Sequence, residues 1–357
     1  MKTFTCNNCK NIVFFDNDIC GYCDSLLGYW NEEEKIIAAN PGTAFSENST
    51  DFKYCKNHQY SACNWLIPDN SDIEFCEACQ LNSIIPNIED KKRLEEWRLI
   101  EFAKHRLIYS LNKLQLPFVF QQKDGKDLKL QFRFLGPQSN SEIGQKILTG
   151  HLNGIITLNV EEADDLKREK ARMQMGEKMR TLLGHFRHEI GHFYWEAIIL
   201  PHQENLHQFR EIFGDERRDY SEALQEYYKK GPAEDWRKFF ITKYASSHPW
   251  EDLAETWAHY LHIMDTVETA YYFGVKTEPK VLKNKQLLSS GITINPYKES
   301  DFDAIVNEYI SLTIAINSLN RGMGLSDIYP FILNKKDISK LGFIHNLLFD
   351  RRNTFQT

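Results

Sequence analysis

The sequence predicts an α+β chain in which a small metal-stapled region, residues 1–85, precedes a mainly helical domain with a small sheet, residues 86–357. Three observations predict it. All eight cysteines lie before residue 80, in a stretch rich in Asn, Asp and Gly and poor in helical periodicity. Beyond that stretch, apolar residues recur at helical spacing in several long segments. Between the first two of these lie short segments that alternate apolar and polar residues, as half-buried strands do. With 357 residues, 42% hydrophobic and 13% aromatic, the chain has material for a large core, and global disorder is not expected.

The cysteines fall as Cys6-x2-Cys9, Cys20-x2-Cys23, Cys55-x7-Cys63 and Cys76-x2-Cys79. Two thiolates separated by two residues in a tight turn hold two corners of a tetrahedron, about 2.3 Å from a zinc ion. Residues 6, 9, 20 and 23 form one expected quartet. Residues 55, 63, 76 and 79 form a second, where the wide spacing of Cys63 leaves His58 open as a substitute ligand. Paired disulfides are the alternative, disfavoured without a secretion signal. A region this short, broken by Asn40-Pro41-Gly42, needs metal to hold its core.

Charge narrows the partners. Residues 1–90 hold five Lys, no Arg and fourteen Asp or Glu, a balance of −9, while the remainder stands near +2. An acidic metal-binding region repels phosphate, so a structural or protein-docking role is expected and nucleic acid is not. No apolar run approaches the roughly 18–20 residues of a membrane span, and Met1–Cys6 opens no signal peptide. A cytoplasmic location is the expectation.

The second domain reads in order. Leu94, Trp97, Ile100, Leu107, Ile108 and Leu111 stripe a helix over Asp90–Leu114, closed by Pro117. Phe118–Gln122 and Leu128–Leu135 alternate around Asp124-Gly125 as a hairpin, and Gly150–Val160 reads as a further strand. A long helix is expected over Glu162–Leu200, stopped by Pro201. The charged, apolar-poor stretch 202–238 reads as a covering insertion. A helix opens at Pro249 and runs to about Tyr272, and two more lie near Asp301–Leu319 and Lys336–Phe349. There is no internal repeat.

Within the long helix, His188-Glu189-Ile190-Gly191-His192 reads H-E-x-x-H. Residues four apart share a helical face, so His188 and His192 can grip one metal, with Glu189 beside them to handle a proton. A catalytic zinc needs a third protein ligand and an open fourth position. The helix starting at Pro249 offers Glu251 and Glu255 on one face, opposite Leu253, Trp257, Leu261 and Met264. Buried carboxylates without partners cost several kcal/mol, about the worth of a whole core side chain, so these two are expected to have a task.

This Glu-x-x-Ala-Glu element behind H-E-x-x-H resembles the glutamate zincins (gluzincins). The resemblance implies Glu251 as the third zinc ligand and Glu255 as hydrogen-bond partner of a metal-bound histidine. Tyr244, seven residues before Glu251, sits at the offset of the oxyanion-stabilising tyrosine in lethal-factor-type zinc peptidases. His185 is expected to hydrogen-bond, His259 and His262 to be structural, and His248 to cap its helix. In gluzincins a strand edge beside the metal pairs with substrate; Gly154–Val160 is the candidate, and Gly191 would admit its close approach.

Taken whole, the chain resembles the bacterial family of zinc-binding metallopeptidases with an N-terminal zinc ribbon. The likeness rests on the cysteine knuckles, TGHLNGIITLNVEEADD (149–165), RTLLGHFRHEIGH (180–192), FGDERRDY (213–220), HPWEDLAETWAHYLH (248–262) and NSLNRGMG (317–324). It implies a zinc-ribbon region with two four-cysteine sites followed by a zincin-like metallopeptidase domain, with one catalytic and two structural zinc ions. Protein or peptide substrates follow, cleaved with Glu189 as general base, and the ribbons could dock a protein partner. The rivals are a non-catalytic adaptor and a SprT-type peptidase acting on nucleic-acid-bound proteins, which the acidic ribbon disfavours. Base deamination lacks its P-C-x-x-C element.

Overall fold

The computed structural model describes residues 1–122, 125–136, 149–165, 167–168, 181–280 and 290–352. The chain forms two compact units, Met1–Leu111 with Leu130–Lys167, and Asn112–Lys129 with Arg168–Thr357.

The first unit begins with very short strands. β1 (Phe4–Thr5) pairs with β2 (Ile12–Val13), and β3 (Leu26–Trp30) with β4 (Lys35–Ala39), both antiparallel. β5 (Phe45–Glu47), β6 (Thr50–Tyr54) and β7 (Leu66–Pro68) make an antiparallel three-stranded sheet. After α1 (Glu77–Gln80) and β8 (Asn82–Ile84) comes α2 (Lys91–Lys113), which buries Trp97, Ile100, Leu107, Ile108 and Leu111 as the stripe requires. Strands of two to five residues hold little by themselves. Aromatic packing supplements them: Phe15 lies 4.8 Å from Tyr29 and 5.3 Å from Tyr109 of α2, centroid to centroid. Through such contacts α2 packs as far as Leu111 within the same unit as these strands.

The expected hairpin forms from β9 (Val119–Gln121) and β10 (Asp127–Lys129), with Asp124 outside the described residues. The second arm stops at Lys129. β11 (Gln131–Leu135) leaves the pair and lies in a sheet of order β12-β13-β11-β8, parallel to β8 and to β13 (Ile155–Asn159). Leu128, Leu130, Phe132 and Phe134 are all buried, so the alternation runs unbroken through the change of partner and hides it. The expected strand over Gly150–Val160 is two strands, β12 (Gly150–Leu152) turning back on β13. Asn153 and Gly154 take φ of 48° and 80°, the turn that an Asn-Gly pair favours.

In the second unit α3 (Leu182–Tyr194) starts where Thr181 Oγ1 accepts from Gly184 N at 2.9 Å. It runs into a π turn, Trp195–Ile199, ahead of Pro201. The expected helix began at Glu162; residues 160–163 instead form a 3-10 turn, and 169–180 lie outside the described residues. The stretch read as an apolar-poor cover folds into α4 (Gln203–Phe213) and α5 (Tyr220–Lys230). Leu206, Phe209 and Phe213 of α4 are buried, a helical stripe that its many charges mask in the sequence. α6 (Pro249–Tyr272) follows, then β14 (Lys276–Thr277) paired with β15 (Ser290–Gly291), α7 (Phe302–Gly322) and α8 (Lys335–Arg352). No helix of the described residues is long and apolar enough to cross a membrane.

α3 and α6 pack tightly, and Gly191 is where they meet. A Cβ there would lie 2.9 Å from Ala254 Cα and 3.0 Å from Trp257 Cβ. The element that Gly191 admits is therefore α6, a correction to the expected approach of strand 154–160. A backbone atom cannot rotate aside. Gly191→Ala is expected to push the two helices apart and cost about 1–3 kcal/mol, read as a shifted midpoint in urea denaturation.

Candidate metal centre

α3 presents His188 and His192 one turn apart, with ring centroids separated by 5.0 Å. α6 presents Glu251 in its first turn, a position set by His248, whose Nδ1 accepts from Trp250 N at 3.1 Å. Glu251 Oε2 lies 3.0 Å from His188 Nε2 and 3.5 Å from His192 Nε2. The three donor atoms all fall within 4.8 Å of one another. Ligand atoms about 2.0–2.2 Å from a tetrahedral zinc are about 3.3–3.6 Å apart, so the spacing suits a shared ion.

Orientation agrees with spacing. His188 Nδ1 donates to Glu255 Oε1 at 2.7 Å, so Nε2, the nitrogen that faces Glu251, is the one that would give its lone pair to a metal. Glu255 Oε2 in turn accepts from Thr242 Oγ1 at 2.6 Å. Glu251 Oε2 is buried and accepts no well-directed hydrogen bond, although two imidazole nitrogens flank it. A cation would complete that oxygen, and the donor set of two imidazoles and one carboxylate is zinc chemistry. The residues fit the metal.

The electrostatics point the same way. Burial pushes the Glu251 carboxyl up, yet His192 and His188 hold it well below the usual carboxylate range. Burial pushes His188 down, yet Glu251 and Glu255 hold it well above an ordinary histidine. The carboxylates thus favour a positive charge at His188, and the imidazoles a negative one at Glu251.

Glu189 is 5% exposed, and its Oε1 lies 3.2 Å from His185 Nε2. Its other oxygen is buried with no hydrogen-bond partner among the described residues. Burial opposes its charge, while His185 and then His188 keep the carboxyl ionised below its ordinary value. His185 thus hydrogen-bonds as expected, but to the acid of the motif. His259 pairs with Tyr329 and His262 with Arg187, and neither joins the ligand cluster.

Two tyrosines approach the centre. Tyr244 packs its ring 5.9 Å from that of His188. Tyr220, which carried no expected role, donates its hydroxyl to Glu251 Oε1 at 2.6 Å. Its ring meets Trp250 at 5.6 Å, and Trp250 lies over His192 at 4.0 Å. Asp219 caps α5 and His248 Nε2 bonds Arg218 O, so both neighbours of this turn fix where Tyr220 stands. The motif FGDERRDY contains Tyr220, but no spacing rule links it to a site 31 residues later.

Cys6, Cys9, Cys20 and Cys23 gather into one group, and Cys55, Cys63, Cys76 and Cys79 into another, with no disulfide among them. His58 does not substitute for Cys63. It stacks on Tyr54 at 3.6 Å and bonds the Cys63 carbonyl.

A family model described as "Putative zinc-binding metallo-peptidase" matches residues 93–347, and a zinc-ribbon domain model matches residues 3–90. Uncharacterized proteins of Mycobacterium bovis and of two strains of Mycobacterium tuberculosis are each 37% identical over 348 residues, covering 98% of this chain and 95% of the relative. No solved structure matches the chain.

Proposed function

The chain belongs to this zinc-binding metallo-peptidase family and carries a zinc-ribbon domain, and from that premise we propose that it hydrolyses peptide bonds of protein or peptide substrates. The observation that carries the proposal is Glu251 Oε2, buried between the Nε2 atoms of His188 and His192 with no well-directed hydrogen bond among the described residues. These three residues would hold the catalytic zinc, and the two cysteine groups would hold one structural zinc each. Bound there, zinc would supply an acidified water, with a pKa of about 7, and a polarised carbonyl.

The protein's own groups do the rest. Glu189 takes the water's proton on its carboxylate and returns it to the leaving amine, so it must be ionised at rest, as His185 and His188 keep it. Glu255 and Thr242 hold the His188 ring in place. Tyr220 occupies Glu251 Oε1 and so turns Oε2 toward the imidazoles. The Tyr244 hydroxyl hydrogen-bonds the oxyanion.

Metal removal tests the proposal. Incubated with a denatured whole-cell protein extract, the zinc-loaded chain is expected to release new peptides. A chelator should stop the release, and added zinc should restore it. Peptide release that is absent, or indifferent to the chelator, would count against hydrolysis at this centre.

A further inference from the structure

Beside the second cysteine group, α2 buries three charged side chains, Glu101, Lys104 and His105. Donor atoms of Cys79, Glu101 and His105 lie within 4.8 Å of one another, so either helix residue is near enough to a metal held there to be examined as a ligand. Glu101 is already saturated. Its Oε1 accepts from Trp97 Nε1 at 3.1 Å and Asn82 Nδ2 at 2.7 Å, and its Oε2 lies 2.8 Å from Lys104 Nζ.

His105 differs. Its Nδ1 is 2.6 Å from the Glu101 backbone oxygen, and a carbonyl can only accept, so Nδ1 carries a proton. The other nitrogen, Nε2, faces sulfur: 3.7 Å to Cys79 Sγ and 3.9 Å to Cys76 Sγ. The thiols stand from one another at the same range, 3.7 Å for Cys63 and Cys76, and 3.6 and 3.8 Å in the first group. His105 Nε2 is therefore spaced as a member of the donor shell. A histidine with its outer nitrogen tied to a carbonyl and its inner one turned to the metal is how ligating histidines are held.

We propose that His105 is a fifth donor of the second zinc centre, able to hold the metal with Cys76 and Cys79 when Cys55 or Cys63 is lost. Among the described residues the first centre has no counterpart. The polar side chains on its sulfurs are Asn8, Asn11 and Ser25, amide and hydroxyl groups that donate to sulfur but do not replace a thiolate on zinc. The two ribbons thus differ in tolerance: one missing thiolate empties the first centre and leaves the second loaded. This rests on zinc binding by the ribbons and is independent of peptidase activity.

Zinc per chain, measured on the full-length protein after gel filtration, decides it. Cys6→Ala should carry one zinc fewer than the parent, Cys55→Ala the full complement, and the double variant Cys55→Ala/His105→Phe one fewer again. Loss of one zinc from Cys55→Ala alone, or full retention in the double variant, overturns the proposal. Cys63→Ala repeats the experiment if Cys55→Ala does not fold. For a readout on four intact cysteines, His105→Phe should release second-centre zinc to excess chelator several-fold faster than the parent. Equal rates overturn the proposal.

Discussion

Glu189→Gln is expected to keep its zinc and lose peptide release by about 10²–10⁴-fold, the usual worth of a positioned general base. Gln has the size and shape of Glu but cannot take a proton. The ligand atoms are untouched, because Glu189 belongs to the helix between His188 and His192 but not to their group. The environment adds a second expectation. One oxygen of Glu189 is buried without a hydrogen-bond partner among the described residues, and holding a carboxylate this way costs stability. Yet His185 and His188 hold the carboxyl below its ordinary value, so the folded state favours the charge, and removing it should lower thermal stability modestly. Lost activity with equal zinc, in a chain that still unfolds cooperatively well above the assay temperature, separates a chemical role from a structural one. A Gln variant that releases peptides as fast as the parent would remove Glu189 from the mechanism.

What could be read in the sequence was local. His188, Glu189 and His192 share one turn of helix, and the cysteine knuckles are fixed by tight turns, so spacing alone describes them. Glu251 and Glu255 stand out because α6 is apolar enough to make its acids conspicuous, while their separate roles come only from what the gluzincin resemblance implies. The features missed at the metal centres are contacts between separate segments. Tyr220 meets Glu251 across 31 residues, Thr242 meets Glu255, and His105 meets Cys79 across 26. Nothing in the periodicity of either partner records such a meeting. Gly191 shows the same limit. Its lack of a side chain signalled a close approach, but only the packed helices reveal that Ala254 is what approaches. The change of partner after Lys129 was hidden for another reason, since both sheets demand the same alternation.

Glu251→Gln should separate the proposed catalytic centre from the ribbons. Zinc content is expected to fall from three ions per chain to two, with peptide release lost, while both cysteine groups keep their metal. The amide preserves size and can still accept from Tyr220 at Oε1, so packing is retained and the change is one of charge. A neutral oxygen is a far weaker donor to zinc than a carboxylate, and two imidazoles alone do not make a stable site. Glu255→Gln provides the graded comparison. It weakens the bond that orients His188 without removing a ligand, and outer partners of this kind are worth about 10–100-fold in metal affinity. The order parent, Glu255→Gln, Glu251→Gln should appear in competition against a zinc chelator. If Glu251→Gln holds its third zinc as tightly as the parent, the metal is not shared between α3 and α6, and the hydrolytic proposal falls with it.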